Sequence, residues 1–394
     1  MALAGREAVV IGAGIAGLAL ATALARRGAH VRVLERSDRI TEVGAGLQIA
    51  PNGAAVLFAL GHAAALAGAG IPARAVRLRD GGDGRAVIRL DLDRAGFGHG
   101  YHLIHRGDLI ALLAQGARAA GVEIRTGCAV DRIEHGPGGY ALHGPEGMPG
   151  RVGLLLAADG LHSRLRRSLN PSAAPFFTGQ VAWRAVIPES IAPERAEAEV
   201  FMGPGRHLVS YPLRGGRARN IVAVEERSDW ADEGWHHEDD PQNLRRAFAG
   251  FGGPVPAWLR RTDRVHLWGL FRHPVATAWH DGRGAAILGD AAHPTLPFLA
   301  QGANMALEDA WVLASLLDRH DDTATALAAF QTARQGRVRR IVEAANRNAR
   351  AYHLQGVARK IAHLGLRLAG RVAPGAPLRR FDWLYRHDVT RQFP

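Results

Sequence analysis

The sequence has few of the features that mark secreted, membrane-spanning or disulfide-bonded proteins. It contains one cysteine among 394 residues, Cys128, which excludes a disulfide framework and a cysteine-rich zinc site. No stretch reaches the roughly 18 consecutive apolar residues of a membrane helix. The first apolar run, residues 8–11, lacks the basic flank and the cleavage site of a signal peptide. These absences predict a cytoplasmic protein without a membrane segment.

Hydrolytic and metal chemistry also lack support. The zinc-protease pattern H-E-x-x-H and the serine-hydrolase pattern G-x-S-x-G do not occur. Residues 236–240 hold adjacent metal-binding side chains, but their position in a polar loop predicts a solvated turn instead of a metal site. The net charge of +12 comes mostly from scattered arginines. Without a nucleic-acid motif, it predicts a basic surface that attracts small anionic ligands.

The order of hydrophobic patterns predicts an α/β fold with an inserted β-rich unit. Residues 7–35 alternate strand, glycine turn, helix and strand, which is a βαβ unit. Residues 178–271 contain short strands separated by turns, typical of a mainly antiparallel sheet. Helical periodicity returns after Gly302. We therefore predict a discontinuous first domain at 1–177 and 276–350, a sheet domain at 178–275 joined by a hairpin at 76–100, and C-terminal helices at 351–394.

A glycine-rich loop joins the first strand to the first helix. Gly12, Gly14 and Gly17 form the pattern G-x-G-x-x-G in the context that a dinucleotide fingerprint requires. The first glycine allows a tight turn, the second a close approach of a pyrophosphate, and the third close packing of helix and strand. Glu35 follows the next strand, where it is placed to accept hydrogen bonds from a ribose. The motif predicts a bound dinucleotide and leaves open whether it is FAD or NAD(P).

Two later segments also place a carboxylate at the end of an apolar strand. Asp159 and Gly160 follow residues 154–158, and Asp290 follows residues 285–289. Ligands of open α/β sheets bind at such strand ends. A glycine-containing loop, residues 297–304, then opens a helix whose N-terminus could stabilise a negative charge.

The predicted sheet domain contains a histidine and a tyrosine on one strand face. His207 and Tyr211 are four residues apart, so the period of two places them, with Val209, on the same side. Such a pair could relay a proton from a phenol. The spacing alone favours a buried histidine beside an ordinary half-buried tyrosine, and both alternatives stay open at this point.

Segments along nearly the whole chain resemble the aromatic-ring hydroxylases of the para-hydroxybenzoate hydroxylase type. The resemblance is strongest to the branch that contains salicylate hydroxylases, 3-hydroxybenzoate hydroxylases and 6-hydroxynicotinate monooxygenases. The segments are the glycine fingerprint with Glu35-Arg36, GAGLQIAPN at 44–52, HRGDL at 105–109, DG at 159–160, VAWR at 181–184, GD at 289–290 and FDWLY at 381–385.

The resemblance implies a Rossmann-like FAD-binding domain and a set of residues that contact FAD. It implies that Glu35 binds the adenosine ribose, that Arg106 contacts FAD and that Asp290 holds the ribityl chain. The family associates the motif at Asp159 with both FAD and NAD(P)H, so Asp159 is cofactor-related without a finer role. The predicted cofactor-binding residues are Gly12, Gly14, Gly17, Glu35, Arg36, Arg106, Asp159, Asp290, Pro297, Gly302 and Asn304.

The resemblance also assigns substrate chemistry to the inserted sheet. Family members carry an active-site histidine and tyrosine in the setting H-x-x-x-Y, which favours catalytic roles for His207 and Tyr211. Gln301 resembles a glutamine close to the substrate. Gln48 and Phe298, also expected at the substrate, stand where some nicotinate-type relatives carry histidines, and this departure argues against a hydroxynicotinate substrate.

The implied activity is hydroxylation of a small phenolic acid, similar to hydroxybenzoate or salicylate, with NAD(P)H and O2 through a flavin C4a-hydroperoxide. This oxidant is an electrophile, so a base that converts the phenol to a phenolate promotes oxygen transfer. A histidine titrates near neutrality and can serve as that base. No second glycine fingerprint follows a strand, so NADH or NADPH is expected to bind transiently.

Several alternatives stay open from the sequence. They are a larger polycyclic or heteroaromatic substrate, a flavin-binding protein without turnover, and an NAD(P)-dependent dehydrogenase. The dehydrogenase does not account for the segment at Asp290, which comes too far downstream to belong to the first βαβ unit. The expected partners are a small aromatic substrate and O2, without metal, nucleic acid or membrane, and a homodimer is left open.

Overall fold

The computed structural model of the protein describes residues 2–40, 45–227, 229 and 237–394, so Gly44 and His236 of the segments above lie outside the described residues. The strands, in chain order, are β1 (Glu7–Ile11), β2 (His30–Leu34), β3 (Gly46–Ile49), β4 (Ile71–Pro72), β5 (Ala75–Asp80), β6 (Ala86–Asp91), β7 (His102–His105), β8 (Glu123–Arg125), β9 (Arg132–Gly136), β10 (Gly139–His143), β11 (Leu155–Ala157), β12 (Phe176–Pro188), β13 (Glu197–Gly203), β14 (Arg206–Leu213), β15 (Ala218–Glu226), β16 (Glu238–Asp239), β17 (Val265–Arg272) and β18 (Ala285–Ile287).

The helices are α1 (Ile15–Ala25), α2 (Pro51–Ala59), α3 (Ala63–Ala69), α4 (Leu92–Ala95), α5 (Arg106–Ala119), α6 (Arg164–Leu169), α7 (Pro241–Ala247), α8 (Val255–Arg260), α9 (Gly302–Arg319), α10 (Thr323–Tyr352), α11 (Gly356–Val372), α12 (Ala376–Arg379), α13 (Asp382–Tyr385) and α14 (Val389–Gln392). None of these described helices combines the length and the apolar character needed to cross a bilayer.

A five-stranded parallel sheet forms the centre of the first domain. Its strand order is β18-β11-β1-β2-β8, and every neighbouring pair is parallel. The strands β11 and β18 are wholly apolar and buried, because a parallel sheet is covered on both faces. The sheet draws its strands from segments as far apart as residues 7 and 287, so the Rossmann-like domain is discontinuous in sequence.

Helix α1 packs tightly between the parallel sheet, α5 and α9, and almost all of its residues are buried. The close approach requires Gly17, because a Cβ atom there would lie 1.9 Å from the carbonyl oxygen of Gly12. A short loop, residues 12–14, separates the end of β1 from the start of the helix. The position of the helix aims its N-terminus at the edge where the strands end.

An eight-stranded sheet forms the second layered unit. Its order is β16-β17-β12-β15-β14-β13-β5-β6, and its pairs are antiparallel except for β13 with β5. One face packs on α7 and α8 through a core that includes Trp183, Phe201 and Leu208. The predicted fold class is confirmed: an α/β domain carries a mainly antiparallel sheet, and helices follow at the C-terminus.

The hairpin between β5 and β6 belongs to this sheet, but it is shorter than the sequence pattern predicted. It ends at Asp91 because the side chain of Asp91 accepts a hydrogen bond from the backbone N–H of Arg94 and caps the short helix α4. Helix α10 connects the two units. It begins after α9, and near its end Ala349 packs in one cluster with Trp268 and Phe298.

Candidate active site

Four parallel strands end in register at one edge of the central sheet. Ile11, the last residue of β1, pairs with Leu34 and with Ala157, and Ala157 pairs with Ile287. The residues that follow these strands include Gly12, Glu35, Asp159 and Asp290. Ligands of open parallel sheets bind at this carboxyl edge. The edge therefore brings together four of the residues that the sequence predicted for the cofactor.

Each glycine of the loop meets a different steric demand. Gly12 has a φ of +100°, and a Cβ atom there would lie 2.6 Å from the carbonyl oxygen of Ala158. A side chain at Gly17 would overlap the carbonyl oxygen of Gly12. By contrast, no atom lies within 4 Å of the Cβ position of Gly14. Gly14 caps α1, so the open space in front of it lies where a pyrophosphate would meet the helix N–H groups.

Glu35 and Asp159 lie on either side of this loop. One oxygen of Glu35 accepts the backbone N–H of Ala13 at 2.8 Å, and the other accepts that of Ser37 at 2.9 Å. Burial raises the pKa of Asp159, and the positive charge of Arg36 opposes the increase. The buried Oδ1 of Asp159 has no hydrogen-bond partner among the described residues. A bound ligand with an N–H or O–H group would satisfy it.

Arg106 and Asp290 face each other although they are far apart in the sequence. Burial lowers the pKa of Arg106, and the negative charge of Asp290 opposes that decrease. Asp290 follows Gly289, whose Cβ position lies 2.9 Å from the Cβ of Ala16 in the first turn of α1. The exposed carboxylate of Asp290 therefore lies beside the N-terminus of α1. The pair extends the strand-end site from the glycine loop towards α5.

Replacing Asp290 with alanine should yield largely flavin-free protein. The reason is that Asp290 is an exposed carboxylate next to the glycine loop, where a ribityl hydroxyl would need an acceptor. The flavin-to-protein absorbance ratio of the purified variant measures the effect. Asp321→Ala, which removes an exposed carboxylate after α9, is the matched control. Full flavin occupancy in the Asp290 variant would contradict the assignment.

The loop before α9 is held in a defined shape by Asn304. The side chain of Asn304 donates to the carbonyl oxygens of Gln48 and Ala300 and accepts the backbone N–H of Ala50. Both the amide nitrogen and the amide oxygen of Asn304 are thus hydrogen-bonded within the protein. We infer that Asn304 supports the loop, while the N–H groups at the start of α9, beginning with Gly302, face a ligand.

The turn before Asn304 is strained and buried. Pro297 opens a short 3₁₀ turn that ends at Leu299, and Ala300 then adopts a φ of +51°, which costs a residue with a Cβ about 1–3 kcal/mol. Strain of this kind persists only where the surroundings enforce it. The turn places buried Phe298 against the eight-stranded sheet, and Gln301 is buried beside Asn52 of α2.

The two faces of β14 serve different purposes. Leu208 packs into the core under α7 and α8, and Ser210 accepts a hydrogen bond from Arg219. His207 and Tyr211 lie on the opposite face, and Val209 lies there too, against the cluster that contains Phe298. The structure thus places the three odd-numbered residues together, as the period of two predicted.

Tyr211 sits in a polar contact with Gln48. The phenol of Tyr101 donates to Oε1 of Gln48 at 2.7 Å, and Gln48 also hydrogen-bonds to Tyr211. Burial raises the pKa of Tyr211, although the charge of Arg184 and the bond to Gln48 oppose the increase. Tyr211 is therefore a neutral phenol near pH 7, able to donate and accept hydrogen bonds.

His207 is buried with 2% of its surface exposed. Its ring lies 5.6 Å from that of Phe298 and 5.3 Å from that of Tyr352, measured between centroids. Its Nδ1 lies 2.7 Å from Nε2 of His353. Burial, together with His353, lowers the pKa of His207 well below its usual value. His207 is therefore neutral at pH 7, with a lone pair on one ring nitrogen, and its pKa is not near neutrality, contrary to the prediction from the sequence.

Gln301 is held by a buried network that the sequence did not indicate. Its Oε1 accepts Nδ2 of Asn52 at 3.1 Å, and the same Nδ2 donates to Glu308 at 2.6 Å. Burial opposes the ionisation of Glu308, but Arg334 and Arg337 outweigh it and hold its pKa well below the usual range. The buried Nε2 of Gln301 has no partner in the described part of the chain, so it offers a donor to a ligand.

Other residues near the site were not predicted for a role. Arg184, noted only within the segment VAWR, stacks 4.5 Å above the ring of Trp268, and burial lowers its pKa to about 9. His353 contacts His207. No local pattern marks these residues, because their partners lie on other elements. His293 pairs with buried Asp309, which fits a structural role.

The arrangement fits a dinucleotide cofactor whose ring system carries out redox chemistry. The open space at Gly14, the buried unpaired oxygen of Asp159 and the exposed carboxylate of Asp290 lie along one sheet edge. A large cofactor such as FAD would occupy that edge and extend towards the loop at Phe298. The sequence-predicted cofactor and substrate residues therefore form two adjoining groups.

Comparison with known proteins agrees with this geometry. A family model described as "FAD binding domain" matches residues 6–345. The 3-amino-4-hydroxybenzoate 2-monooxygenase of Streptomyces cremeus is 38% identical over 352 residues, which cover 88% of this chain and 87% of that protein. The 3-hydroxybenzoate 6-hydroxylase of Polaromonas naphthalenivorans strain CJ2 is 36% identical over 365 residues, which cover 90% of each.

A solved structure shows the same fold. The substrate complex of a salicylate hydroxylase matches with a TM-score of 0.81 and 24% identity, covering 99% of this chain and 97% of that one. The resemblance stated from the sequence motifs is confirmed, and FAD is confirmed as the cofactor type. The chain therefore belongs to the FAD binding domain family, and it is an FAD-dependent monooxygenase of the aromatic-hydroxylase type.

Proposed function

We propose that the protein hydroxylates a small phenolic acid related to hydroxybenzoate or salicylate, with NADH or NADPH as electron donor. The observation that carries this proposal is the placement of His207 and Tyr211 on the buried sheet face that packs against the loop of Phe298. The activities of two relatives, a 3-amino-4-hydroxybenzoate 2-monooxygenase and a 3-hydroxybenzoate 6-hydroxylase, support the substrate class. When bound, FAD would take electrons from the nicotinamide and activate O2 for transfer to the ring.

The side chains of this chain would control the proton and the position of the phenol. His207 is neutral and buried, so its free nitrogen would accept the phenol proton. Tyr211 would donate or relay a hydrogen bond, because it stays neutral. Gln301 would orient the ring through its unpaired amide nitrogen, since an amide does not exchange protons at neutral pH. Gln48 would fix the hydroxyl of Tyr211, and Phe298 would cover the ring.

Positive charge beside the site supports an anionic substrate. A groove next to Phe298 is lined by Arg272, Arg347 and Arg350, among other residues. Cationic grooves raise the local concentration of anions, and aromatic acids are anionic at neutral pH. We propose this groove as the approach route of the substrate.

We propose further features of the working enzyme. The first domain would comprise residues 1–177 and 276–350, and the substrate domain residues 178–275. The single cysteine supports a cytoplasmic location. Light scattering of the purified protein would measure whether it is a homodimer.

A substrate screen tests the proposed function. The purified holoprotein is mixed with NADH or NADPH and with salicylate, 3-hydroxybenzoate, 3-amino-4-hydroxybenzoate or anthranilate. We expect at least one acid to stimulate NAD(P)H oxidation and O2 uptake, and to give a product with one added oxygen. Benzoate, which lacks the phenol, is the matched control and should give little product. Turnover only with polycyclic or heteroaromatic compounds would overturn the substrate class.

A further inference from the structure

A chain of three titratable side chains leads from the proposed base to the protein surface. Nδ1 of His207 lies 2.7 Å from Nε2 of His353, and Nδ1 of His353 lies 2.7 Å from Oε1 of Glu226. The two histidines are 2% and 5% exposed, whereas the side chain of Glu226 is 49% exposed. The three residues come from β14, the end of α10 and the end of β15.

The hydrogen bonds allow one consistent set of tautomers when both histidines are neutral. An ionised carboxylate only accepts, so Nδ1 of His353 must carry its proton and donate it to Glu226. Nε2 of His353 then carries a lone pair and accepts a proton from Nδ1 of His207. Nε2 of His207 is consequently unprotonated. The neighbouring residues therefore make Nε2 the proton-accepting atom of His207.

His207 by itself would not retain a proton taken from the substrate. Burial lowers its pKa well below the ordinary value, so a proton taken from a phenol would not remain there. Burial also lowers the pKa of His353, but Glu226 opposes this decrease. The chain therefore leads from the more strongly desolvated histidine, through His353, to a carboxylate that solvent can reach.

We propose that His353 and Glu226 form a relay that carries the substrate's phenol proton from His207 to solvent. The inference rests on the proposed function, because it takes His207 as the base. The O–H bond of the phenol breaks as the Nε2–H bond of His207 forms. The Nδ1 proton of His207 moves to Nε2 of His353, and the Nδ1 proton of His353 moves to Glu226, which releases it to water.

No atom is oxidised or reduced in these transfers, and one proton leaves for each phenolate formed. The same chain runs in reverse when the product's phenolate regains its proton, which restores the starting tautomers. His353 and Glu226 act through His207 and do not contact the ring, so they are relay residues.

Other groups around the chain set its electrostatics. The ring of Tyr352 packs 5.3 Å from His207. Arg206, next to His207 in β14, lowers the pKa of His353 and pairs with Glu225 at 3.2 Å. Glu225 lies beside Glu226 in sequence, but it points to the other face of the strand. Removing Glu225 would leave Arg206 without this partner, so Glu225 is not a neutral control for Glu226.

The test uses the FAD-loaded enzyme and a hydroxybenzoate found in the screen. Rapid mixing follows the ultraviolet absorbance of the bound phenolate, without NAD(P)H, so that no turnover occurs. In His353→Gln, the amide oxygen can still accept from His207 but cannot pass a proton to Glu226. We expect phenolate formation about 100-fold slower than in the wild type, at the lower end of the effect of losing assisted proton transfer, with unchanged flavin content and substrate affinity.

Glu226→Ala should also slow phenolate formation, and added formate should restore part of the rate, because the site of Glu226 is open to solvent. Glu194→Ala, which removes an exposed carboxylate before β13, is the control and should behave as the wild type. Glu226 is at the surface end of β15, so its variant tests the relay even when a substitution at buried His353 reduces folding.

The outcomes separate the relay from the proposed base. Slow phenolate formation in His207→Ala but wild-type rates in both His353→Gln and Glu226→Ala would overturn the relay alone. Wild-type rates in all three variants would overturn the role of His207 as well. A slow Glu226→Ala variant that formate does not rescue would point to a packing effect and would count against the relay.

Discussion

Replacing His207 with alanine should leave NAD(P)H consumption largely intact and divert most of it to hydrogen peroxide. The loss of a general base typically slows the assisted step about 10²–10⁴-fold. Hydride transfer from NAD(P)H needs no phenolate, so reduction should continue while oxygen transfer to the ring slows. The ratio of hydroxylated product to NAD(P)H consumed, with peroxide measured in parallel, checks the prediction.

Val209→Ala is the control for packing, because Val209 lies on the same face of β14 between His207 and Tyr211 and has no titratable group. This variant should stay coupled. His207→Asn, which keeps a donor near the position of Nδ1 but cannot accept the phenol proton, should uncouple like the alanine variant. If hydroxylated product instead matches the NAD(P)H consumed by His207→Ala, His207 is a packing residue, as the spacing alone favoured.

Gly14→Val should produce a folded protein that does not retain FAD. Gly14 has φ −80° and ψ −173°, which any residue adopts, and its Cβ position has no neighbour within 4 Å. The new side chain would fill the space in front of α1 that a pyrophosphate needs. We expect binding about 100-fold weaker or worse, which corresponds to ~2.7 kcal/mol.

The measurements for this variant are flavin occupancy and the thermal unfolding of the flavin-free protein. Gly150→Val is the matched control, because Gly150 is an exposed glycine whose Cβ position is equally open. Its occupancy should equal that of the wild type. Gly17→Val, by contrast, should fail to fold, since its Cβ would overlap the carbonyl of Gly12. Normal FAD content in Gly14→Val would show that the pyrophosphate does not lie in the space in front of Gly14.

The parts of the site that could be predicted from the sequence are governed by local geometry. The glycine fingerprint and Glu35 belong to one βαβ unit, so their spacing alone predicts a dinucleotide site. The common face of His207 and Tyr211 follows from the two-residue period of a strand. The end of the hairpin at Asp91 was missed, because a single capping hydrogen bond stopped the strand earlier than the alternation of residues indicated.

The supporting residues could not be predicted in this way. Asn52 meets Gln301 across 249 positions, and His353 meets His207 across 146. Neither pair has a shared motif or a periodic pattern. The cofactor and substrate roles of individual residues stay predictions, although the structure brings these residues into two groups, one at the sheet edge and one beside β14.

Amino-acid order alone determined the class of fold, the nucleotide loop and the residue types available for proton transfer, because turns, strand alternation and helix starts depend on neighbours in the chain. Tertiary structure decided which nitrogen of His207 faces His353, which oxygen of Asp159 stays unpaired among the described residues and that the carboxylate of Glu226 faces water. Those properties depend on burial and on hydrogen bonds between distant elements. Those of His207 and Glu226 arise only when β14, β15 and α10 pack together, and that of Asp159 arises at the edge of the parallel sheet.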